Sequence, residues 1–320
     1  MKALVITQPG EPDVLAVVDR PKPVPAGDQI LVRVAAAGVN RADLLQRAGH
    51  YPAPLDSPQD IPGMEFCGIV DAVGPDVRKR KVGERVFGLV GGGAQAEFVL
   101  TREALAIPVP AAVGDIEGGA IPEAYVTAHD ALYVQGSLKK GERVLIHAVG
   151  SGVGIAALQL AKARGCTVFG TSRSGDKLEK AVTLGLDLGI DTTDAAFDDV
   201  ASEIDVIIDF IGAPFLEKNL AALALKGRLI VVSTLGGTTA PLSMRTLMTK
   251  RLRIVGTLLR SRTYEEKVEA TRAFERDVLP LLASGSVKVP VDRVFKLDEA
   301  PAAHRYVEEN RNFGKVVLVP

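Results

Sequence analysis

The segment at residues 143–164 constrains the fold of this chain more than any other part of its sequence. Residues 143–149 are apolar enough to predict a buried strand, and they lead directly into a turn with glycines at 150, 152 and 154. The alanine-rich stretch that follows predicts a helix. Glycine permits a tight turn and close approach to a phosphate, and a helix N-terminus offers free N–H groups and partial positive charge. This order predicts a dinucleotide pyrophosphate site formed by Gly150, Ser151, Gly152, Val153 and Gly154.

The sequence around this turn alternates between strands and helices. Further strands are predicted at 167–171, 188–191, 206–210, 228–233 and 253–258, with helices at 177–184, 214–225 and 242–249. Such alternation is typical of a parallel sheet, and six strands suit a doubly wound Rossmann sheet. The last strand would lie at the sheet edge, where unpaired backbone groups invite pairing with a second copy. We therefore expect a homodimer formed through this edge strand.

The two ends of the chain have a different sequence pattern. Up to about residue 118, short β-type runs are separated by Pro and Gly, and one helix is predicted at 40–48. A long charged helix is predicted at 264–283, followed by strands at 287–295 and 315–319. We therefore predict an α/β chain in two domains. Residues 1–118 and 264–320 form a discontinuous β-rich, barrel-like domain, and residues 119–263 form the inserted nucleotide-binding domain.

The end of the second predicted strand indicates which dinucleotide is bound. An NAD-preferring domain usually places Asp or Glu there to accept a hydrogen bond from the ribose 2′-hydroxyl. This chain instead has Ser172 and Arg173, with Lys177 four residues further on. Hydroxyl donors and two cations suit a 2′-phosphate, so NADP(H) is the predicted cofactor. The alternative interpretation is a solvated loop with Ser174 as a helix N-cap.

Charge and cysteine content argue against several classes of partner. The 38 Lys and Arg residues balance 39 Asp and Glu residues, so no overall field attracts nucleic acid or a membrane surface. The basic run at 78–81 has no aromatic neighbours to stack bases and is interpreted as a solvated turn. Cys67 and Cys166 are too few for a disulfide framework or a four-cysteine zinc site. With only a short apolar run at the N-terminus, we expect a cytoplasmic protein.

Several motifs together resemble a known superfamily. Residues 36–43, 61–65 and 82–86 occur, with the glycine turn, in the order found in medium-chain dehydrogenases/reductases. Within that superfamily, residues 40–45, 121–128 and 312–315 are similar to the quinone oxidoreductases related to zeta-crystallin. The similarity covers nearly the whole chain. It implies a GroES-like β-barrel for the discontinuous domain and a Rossmann fold for the inserted one.

The resemblance also bears on metal binding. Zinc-dependent relatives carry a cysteine ligand where this chain has Asn40, and a histidine where it has Met64. Zinc needs nitrogen, sulfur or carboxylate donors that converge on one point, and the four histidines are scattered without ligand spacing. We therefore expect no metal.

Three candidate catalytic residues follow from the resemblance. It places Asn40 and Thr127 at the nicotinamide end of the cofactor, where they would also contact it. Tyr51 would lie nearby as a proton donor, because its phenol has a basicity close to that of a hydroquinone anion. As alternatives, Asn40 could serve only as a helix N-cap, and Tyr51 could only pack beside Pro52.

The other candidate cofactor contacts form two groups. Those that the resemblance places along the cleft are Leu235, Gly236, Leu258, Leu259, Phe313, Gly314 and Lys315, although Phe313 and Gly314 could be only a turn. Those that follow predicted strand ends at the carboxyl edge of the sheet, where cofactor contacts concentrate, are Asp191, Ile211 and Gly212.

These observations lead to three functional hypotheses. Without a Lewis acid, an electron-poor acceptor suits the chain better than an alcohol does, so we predict hydride transfer from NADPH to a quinone. An enone or enoyl-thioester reductase would need the same hydride geometry and is the first alternative. The second alternative, which the resemblance suggests, is a non-catalytic NADPH-binding protein with a structural or RNA-binding role.

Overall fold

The computed structural model describes Met1–Pro320 and divides the chain into two compact units. The first unit comprises Met1–Val126 and Arg260–Pro320, and the second comprises Thr127–Leu259. None of the helices combines the length and the apolar character that crossing a membrane requires.

The chain forms fifteen strands and eleven α-helices. Strands β1 to β15 are, in order, Lys2–Ile6, Leu15–Asp19, Gln29–Val39, Glu65–Val73, Arg85–Leu89, Phe98–Arg102, Ala106–Pro108, Arg143–Ile146, Thr167–Ser172, Leu188–Asp191, Ile204–Asp209, Leu223–Val231, Arg253–Gly256, Val291–Lys296 and Lys315–Val319. Helices α1 to α11 are Arg41–Arg47, Asp115–Gly118, Pro122–His129, Gly152–Ala163, Gly175–Val182, Phe197–Val200, Leu216–Ala222, Met244–Lys250, Tyr264–Asp277, Leu279–Ala283 and Ala300–Glu308. Short turns of 3₁₀ or π-helix occur at Pro12–Val14, Glu103–Leu105, Asp130–Gln135, Ala213–Phe215 and Leu297–Glu299.

The second unit is built on one six-stranded sheet in the order β10-β9-β8-β11-β12-β13. All five pairings are parallel. This is the strand order of the Rossmann fold. From β8 the chain first adds β9 and β10 on one side of the sheet and then crosses to add β11, β12 and β13 on the other side. The central strands are apolar because both faces of the sheet are covered, and Leu145, Ile207 and Leu229 are completely buried. The prediction of a six-stranded parallel sheet with its last strand at an edge is confirmed.

The first unit is organised around β3, which pairs with β4, β6 and β15. The main sheet has the order β14-β15-β3-β4-β5-β7, and β1 and β2 form a separate pair. Because β15 runs antiparallel to β3, with Val317 opposite Gly38, the last strand of the chain is part of the sheet that the first 110 residues begin. The buried residues Ile30, Phe66 and Val86 belong to the core of this unit.

The structure differs from the predicted elements at two places near the C-terminus. The helix predicted at 264–283 is two helices, α9 and α10, with a break at Val278. Pro280 lies in the first turn of α10, where its missing N–H costs no helical hydrogen bond, whereas inside one continuous helix it would. The strand predicted from 287 begins only at Val291, directly after Pro290.

The unit boundaries also lie apart from the predicted domain limits of 118/119 and 263/264. They fall between Val126 and Thr127, within α3, and between Leu259 and Arg260. Hydrogen bonds explain both positions. The backbone N–H of Glu123 donates to Glu65 at 2.8 Å, and the Arg260 guanidinium donates to the Gly91 carbonyl at 2.7 Å.

Candidate functional site

The glycine turn of the second unit connects β8 to α4. Ser151 is the N-cap of α4, and its Oγ accepts a hydrogen bond from the Gly154 N–H at 3.1 Å. A Cβ at Gly154 would lie 2.6 Å from the Ala148 carbonyl oxygen, and one at Gly150 would lie 3.1 Å from Lys177 Cβ. The turn therefore needs glycine at position 154, whereas a side chain at position 150 would press against Lys177. It presents the N-terminus of a twelve-residue helix, which is the geometry that receives a phosphate.

The predicted 2′-phosphate residues lie at the end of β9 and at the start of α5. Ser172 Oγ accepts the Ser174 N–H at 3.0 Å, and Arg173 is exposed. Lys177 on α5 packs its aliphatic stem beside Gly150, so the structure brings this cation to the glycine turn. Ser174 does occupy the N-cap position of α5, but its side chain makes no capping hydrogen bond.

The remaining predicted residues of the second unit follow the carboxyl ends of the other strands. Asp191 lies opposite Ser172 in the parallel register of β10 and β9. The turns after β11 and β12 contact each other. The Gly236 N–H donates to the Ile211 carbonyl at 2.8 Å, and Gly212 forms an isolated parallel β-bridge with Gly237. Further residues of the set are the exposed Leu235 and Leu258 and the half-buried Leu259 and Thr127.

A buried chain of polar groups connects two of these strand ends. Asp209 Oδ1 accepts the N–H groups of Ile211 and Gly212 at 2.7 and 3.1 Å, and its Oδ2 accepts from Asn219 Nδ2 at 3.1 Å. Asn219 Oδ1 lies 2.7 Å from His147 Nε2, and His147 Nδ1 lies 3.0 Å from the Thr171 hydroxyl.

The surroundings of His147 determine its protonation state and its tautomer. Burial lowers the pKa of His147 to about 4, although its hydrogen bond with Asn219 acts in the opposite direction, so the ring is neutral at pH 7. Because the amide oxygen of Asn219 can only accept, His147 carries its proton on Nε2. These polar groups therefore hold the Ile211–Gly212 turn and the end of β9 in fixed positions.

In the first unit, Asn40, Glu65 and Lys315 form a buried polar cluster. Lys315 Nζ donates to Glu65 Oε1 at 2.6 Å and also to Asn40 Oδ1, and Asn40 Nδ2 donates to Glu65 Oε1 at 2.9 Å. Asn40 is also at the N-cap of α1, where its backbone N–H donates to the Asp43 carboxylate at 2.8 Å. The predicted residues Asn40 and Lys315 are thus brought together, and Glu65 joins them.

Two further carboxyl groups lie near this cluster. Burial raises the pKa of Asp43 to about 6, although N–H groups of Asn40 and Gly63 donate to its carboxylate. Burial also raises the pKa of Glu123 to about 7; Lys315 lowers it, and the neighbouring Glu65 and Asp43 raise it. For Lys315, burial lowers the pKa, but the nearby carboxylates more than offset this effect and the pKa is raised.

Tyr51 lies in the loop after α1, beside the buried Arg260. The guanidinium lies 5.0 Å from the centre of the Tyr51 ring and donates to the Tyr51 carbonyl at 3.1 Å. It also donates to Gln46 Oε1 at 2.5 Å. Burial raises the pKa of the Tyr51 phenol, Arg260 lowers it and Glu123 raises it.

Phe313 and Gly314 precede β15 and so position Lys315. Gly314 has φ of +82°, and a Cβ there would lie 2.5 Å from the Pro290 carbonyl oxygen. The half-buried Phe313 is next to it in the chain. The chain bends at Phe313, and the left-handed backbone of Gly314 precedes the strand that carries the lysine.

Sequence reasoning assigned no role to five residues that the structure places in these networks: Glu65, Glu123, Arg260, Asn219 and Asp209. One usable signal was the presence of acids inside or beside apolar runs, as at Glu65 at the start of β4 and Asp209 at the end of β11. The partners of these acids are distant in sequence, so the signal did not identify them. The structure contains no group of three His, Cys, Asp or Glu side chains that could hold a metal ion.

Two protein-family models match the chain. Residues 26–111 match the alcohol dehydrogenase GroES-like domain, and residues 152–275 match the zinc-binding dehydrogenase model. Together with the Rossmann strand order, these matches identify an oxidoreductase of the medium-chain dehydrogenase/reductase superfamily. The predicted fold class, a Rossmann domain with a GroES-like domain, is confirmed.

Comparison with individual proteins narrows the family. Rat (Rattus norvegicus) quinone oxidoreductase is 31% identical, over 100% of this chain and 98% of the rat protein. The structure of Escherichia coli quinone oxidoreductase complexed with NADPH superimposes with a TM-score of 0.90 at 27% identity and covers all of both chains. The chain therefore belongs to the quinone oxidoreductase family, as its motifs predicted.

A third relative is much longer than this chain. It is a subunit of the phenolphthiocerol/phthiocerol polyketide synthase of Mycobacterium tuberculosis, and it is 32% identical over 98% of this chain. The chain spans only 14% of the length of that polyketide synthase polypeptide.

Proposed function

We propose that this chain is an NADPH-dependent oxidoreductase that transfers hydride to a quinone without zinc. The observation that carries the proposal is the glycine turn, with Lys177 packed beside Gly150 and Ser172 on the adjacent strand. Relatives named quinone oxidoreductase, one of them solved with NADPH, support it. NADPH, when bound, supplies the hydride; the protein supplies binding, orientation and a proton.

The residues of the second unit suit the cofactor at its pyrophosphate and at its 2′-phosphate. The glycine turn offers backbone N–H groups to the pyrophosphate, and Ser172, Arg173 and Lys177 offer donors and cations to the 2′-phosphate. Steady-state kinetics with NADPH and NADH test the assignment. We expect a clearly lower Michaelis constant for NADPH, and a preference for NADH would contradict it.

We include zinc independence in the proposal because Lys315 fills the polar cluster around Asn40. Its ammonium group is bonded to both Asn40 and Glu65, so a cation carried by the chain already neutralises the buried Glu65 carboxylate. Activity that is unchanged after dialysis against a chelator, with no zinc in the dialysed protein by mass spectrometry, is the expected result.

Tyr51 is our proposed proton donor to the reduced acceptor. Its half-buried phenol is held beside Arg260, and burial raises its pKa, so it is protonated at neutral pH. The substitution Tyr51→Phe keeps the ring under the guanidinium and removes only the hydroxyl. It should lower turnover while leaving NADPH affinity unchanged, and full turnover in this variant would rule out the donor role.

The nearest alternative is reduction of an enone or enoyl thioester. The match to a polyketide synthase favours it, because polyketides are assembled on acyl thioesters. Parallel assays with a quinone series and a 2-enoyl thioester series separate the two activities. Tight NADPH binding without turnover of either series would favour a non-catalytic role.

We also propose that the protein is a homodimer formed through β13. This strand pairs only with β12, and its residue Ile254 is 38% exposed. On the preceding helix α8, Met244 is 59% exposed and Met248 is 71% exposed. An unpaired edge with exposed apolar side chains is suited to pairing with a second copy. Light scattering should give twice the 33.8 kDa chain mass, and Ile254→Asp should reduce it to one chain.

A further inference from the structure

A π-helical turn at Asp130–Gln135 follows α3 without interruption. Its hydrogen bonding spans five residues, as in the bond from the Gly136 N–H to the Ala131 carbonyl at 2.9 Å. The chain is crowded where the turn ends, because a Cβ at Gly136 would lie 2.7 Å from the Leu132 carbonyl oxygen. Single π-turns within helices are rare and occur frequently at functional sites, so this turn is a candidate functional element.

The π-turn brings Asp130 and Gln135 to the same side of the helix. In an α-helix, residues five apart differ in direction by about 140°, whereas the wider π-turn brings them closer to one line. Gln135 Nε2 accordingly donates to Asp130 Oδ1 at 3.3 Å. The Asp130 side chain is buried, and its Oδ2 accepts from the Thr257 hydroxyl at 2.7 Å. A buried, hydrogen-bonded carboxylate is thus held against Thr257.

Thr257 follows β13 directly and precedes the proposed cofactor contacts Leu258 and Leu259. Its backbone N–H donates to the Val231 carbonyl at 3.0 Å, which extends the pairing of β13 with β12 by one residue. Because its side chain is bonded to Asp130 as well, Thr257 is held at two points. The backbone that carries Leu258 and Leu259 therefore continues from a residue whose position is fixed.

Asp130 is also close in sequence to Thr127, the proposed contact at the nicotinamide end of the cofactor. Thr127 belongs to α3 and precedes Asp130 by three residues, so the two lie on the same side of the helix. Thr127 and Leu259 are the first and last residues of the second unit. The hydrogen bond between Asp130 and Thr257 therefore connects the two ends of this unit, and both ends carry proposed cofactor contacts.

We propose that Asp130 and Thr257 are positioning residues for the nicotinamide ring. Their hydrogen bond fixes the cofactor contacts at the two ends of the second unit relative to each other. The inference rests on the proposed function and deepens it. In this role neither residue contacts the acceptor or takes part in proton transfer, so the reaction itself is unchanged.

The effect of this hydrogen bond should be confined to the nicotinamide end of the cofactor. Thr257 follows β13, whereas the proposed 2′-phosphate contact Ser172 ends β9, four strand spacings away in the order of the sheet. At roughly 4.8 Å per spacing, the two strand ends are about 19 Å apart. The cofactor phosphates should therefore stay bound when the bond between Asp130 and Thr257 is lost, while the ring is placed less precisely.

The first test compares Thr257→Val, which nearly keeps the side-chain shape but lacks the hydroxyl, with Thr257→Ser, which keeps the hydroxyl. The rate constant of hydride transfer from saturating NADPH to a quinone should fall roughly tenfold in Thr257→Val, because a misplaced ring reacts more slowly. The Kd of NADPH should change by less than about twofold, because the phosphates retain their charge-assisted hydrogen bonds. Thr257→Ser should restore the rate to within about twofold of the wild type.

The matched control is Thr183→Val, at the exposed C-terminal end of α5. It also removes a hydrogen bond of 2.7 Å, to the Lys180 carbonyl, and should leave the rate unchanged. Asp130→Leu removes the acceptor without leaving an unpaired buried carboxylate, so it should reproduce the loss even if Thr257→Val does not fold. An unchanged rate in Thr257→Val, an equal loss in Thr257→Ser, or a loss of NADPH affinity alone would overturn the proposal.

The second test needs no acceptor and no turnover. The fluorescence lifetime of bound NADPH depends on how rigidly the nicotinamide ring is held, and it should be shorter in Thr257→Val than in the wild type, Thr257→Ser and Thr183→Val. The same lifetime in all four proteins would overturn the inference even if the wild type reduces quinones. A lifetime that depends on the Thr257 hydroxyl in a protein that reduces no quinone would instead contradict the proposed function.

Discussion

Asn219→Leu should destabilise the second unit, because it removes the central link of the buried polar groups between Asp209 and His147. The substitution nearly keeps the side-chain volume, so packing changes little. It leaves two buried groups, His147 Nε2 and Asp209 Oδ2, without their partners at 2.7 and 3.1 Å. Each buried polar group that loses its partner costs about 1–3 kcal/mol. The free energy of opening for this sheet should therefore fall by roughly 2–6 kcal/mol.

A double-mutant cycle with His147→Phe tests the reasoning more sharply than the single change. The ring of His147 lies 4.7 and 4.8 Å from the rings of Phe197 and Phe215, so an aromatic replacement suits the space. Once His147 has been replaced, Asn219→Leu no longer leaves a buried imidazole N–H without an acceptor. The double variant should therefore cost about 1–3 kcal/mol less than the sum of the two single variants.

Hydrogen exchange of the β8 and β11 amides is the appropriate assay, because a chain of two units need not unfold in one transition. Glu217→Leu, on the exposed side of α7, is the control and should stay within about 0.5 kcal/mol of the wild type. If the double variant loses as much free energy as the two single variants together, to within about 0.5 kcal/mol, then Asn219 and His147 are not coupled. That result would refute the argument.

Three further predictions concern the cofactor site and acid stability. Replacing both Arg173 and Lys177 with alanine should raise the Michaelis constant for NADPH at least about tenfold, because only NADPH has a 2′-phosphate. The Michaelis constant for NADH should stay nearly unchanged, and an equal rise for both cofactors would contradict the prediction. Gly154→Ala should weaken NADPH binding in calorimetry, because its Cβ would lie 2.6 Å from a backbone oxygen; unchanged affinity would argue against a pyrophosphate site at the glycine turn. Burial lowers the pKa of His147 from 6.5 to about 4. The unfolded chain therefore binds the extra proton first as the pH falls. About 3 kcal/mol of stability, present above pH 6.5, should be lost between there and pH 4, and hydrogen exchange in His147→Phe should show a smaller loss.

The Rossmann part of the fold could be predicted because its signals are local. The strand, the glycine turn and the helix at 143–164 follow one another directly, and at Gly154 an added Cβ would meet backbone carbonyl oxygens of the same turn. Lys177 was predictable for the same reason, since it lies in the first turn of the next helix along the chain. The break at Val278 was missed because Pro280 is compatible with the first turn of a second helix.

The geometry of the polar cluster in the first unit could not be predicted in this way, because its contacts are distant in sequence. Lys315 is 250 residues from Glu65 and 275 from Asn40, and their contact depends on the pairing of β15 with β3. A lysine beside a glycine turn predicts a ligand contact as readily as an internal ion pair. Only the sheet register decides between the two, and that register brings the ammonium group to a buried carboxylate.

The position of Lys315 explains why proton supply becomes the central problem for this site. A buried ammonium group that is bonded to Glu65 has its charge largely neutralised, so it can offer little stabilisation to a negative charge elsewhere. An acceptor that spreads the added charge over its own π-system does not need such stabilisation, but its product must still be protonated. Under the proposed function, Tyr51 gives that proton and must regain one before the next turnover.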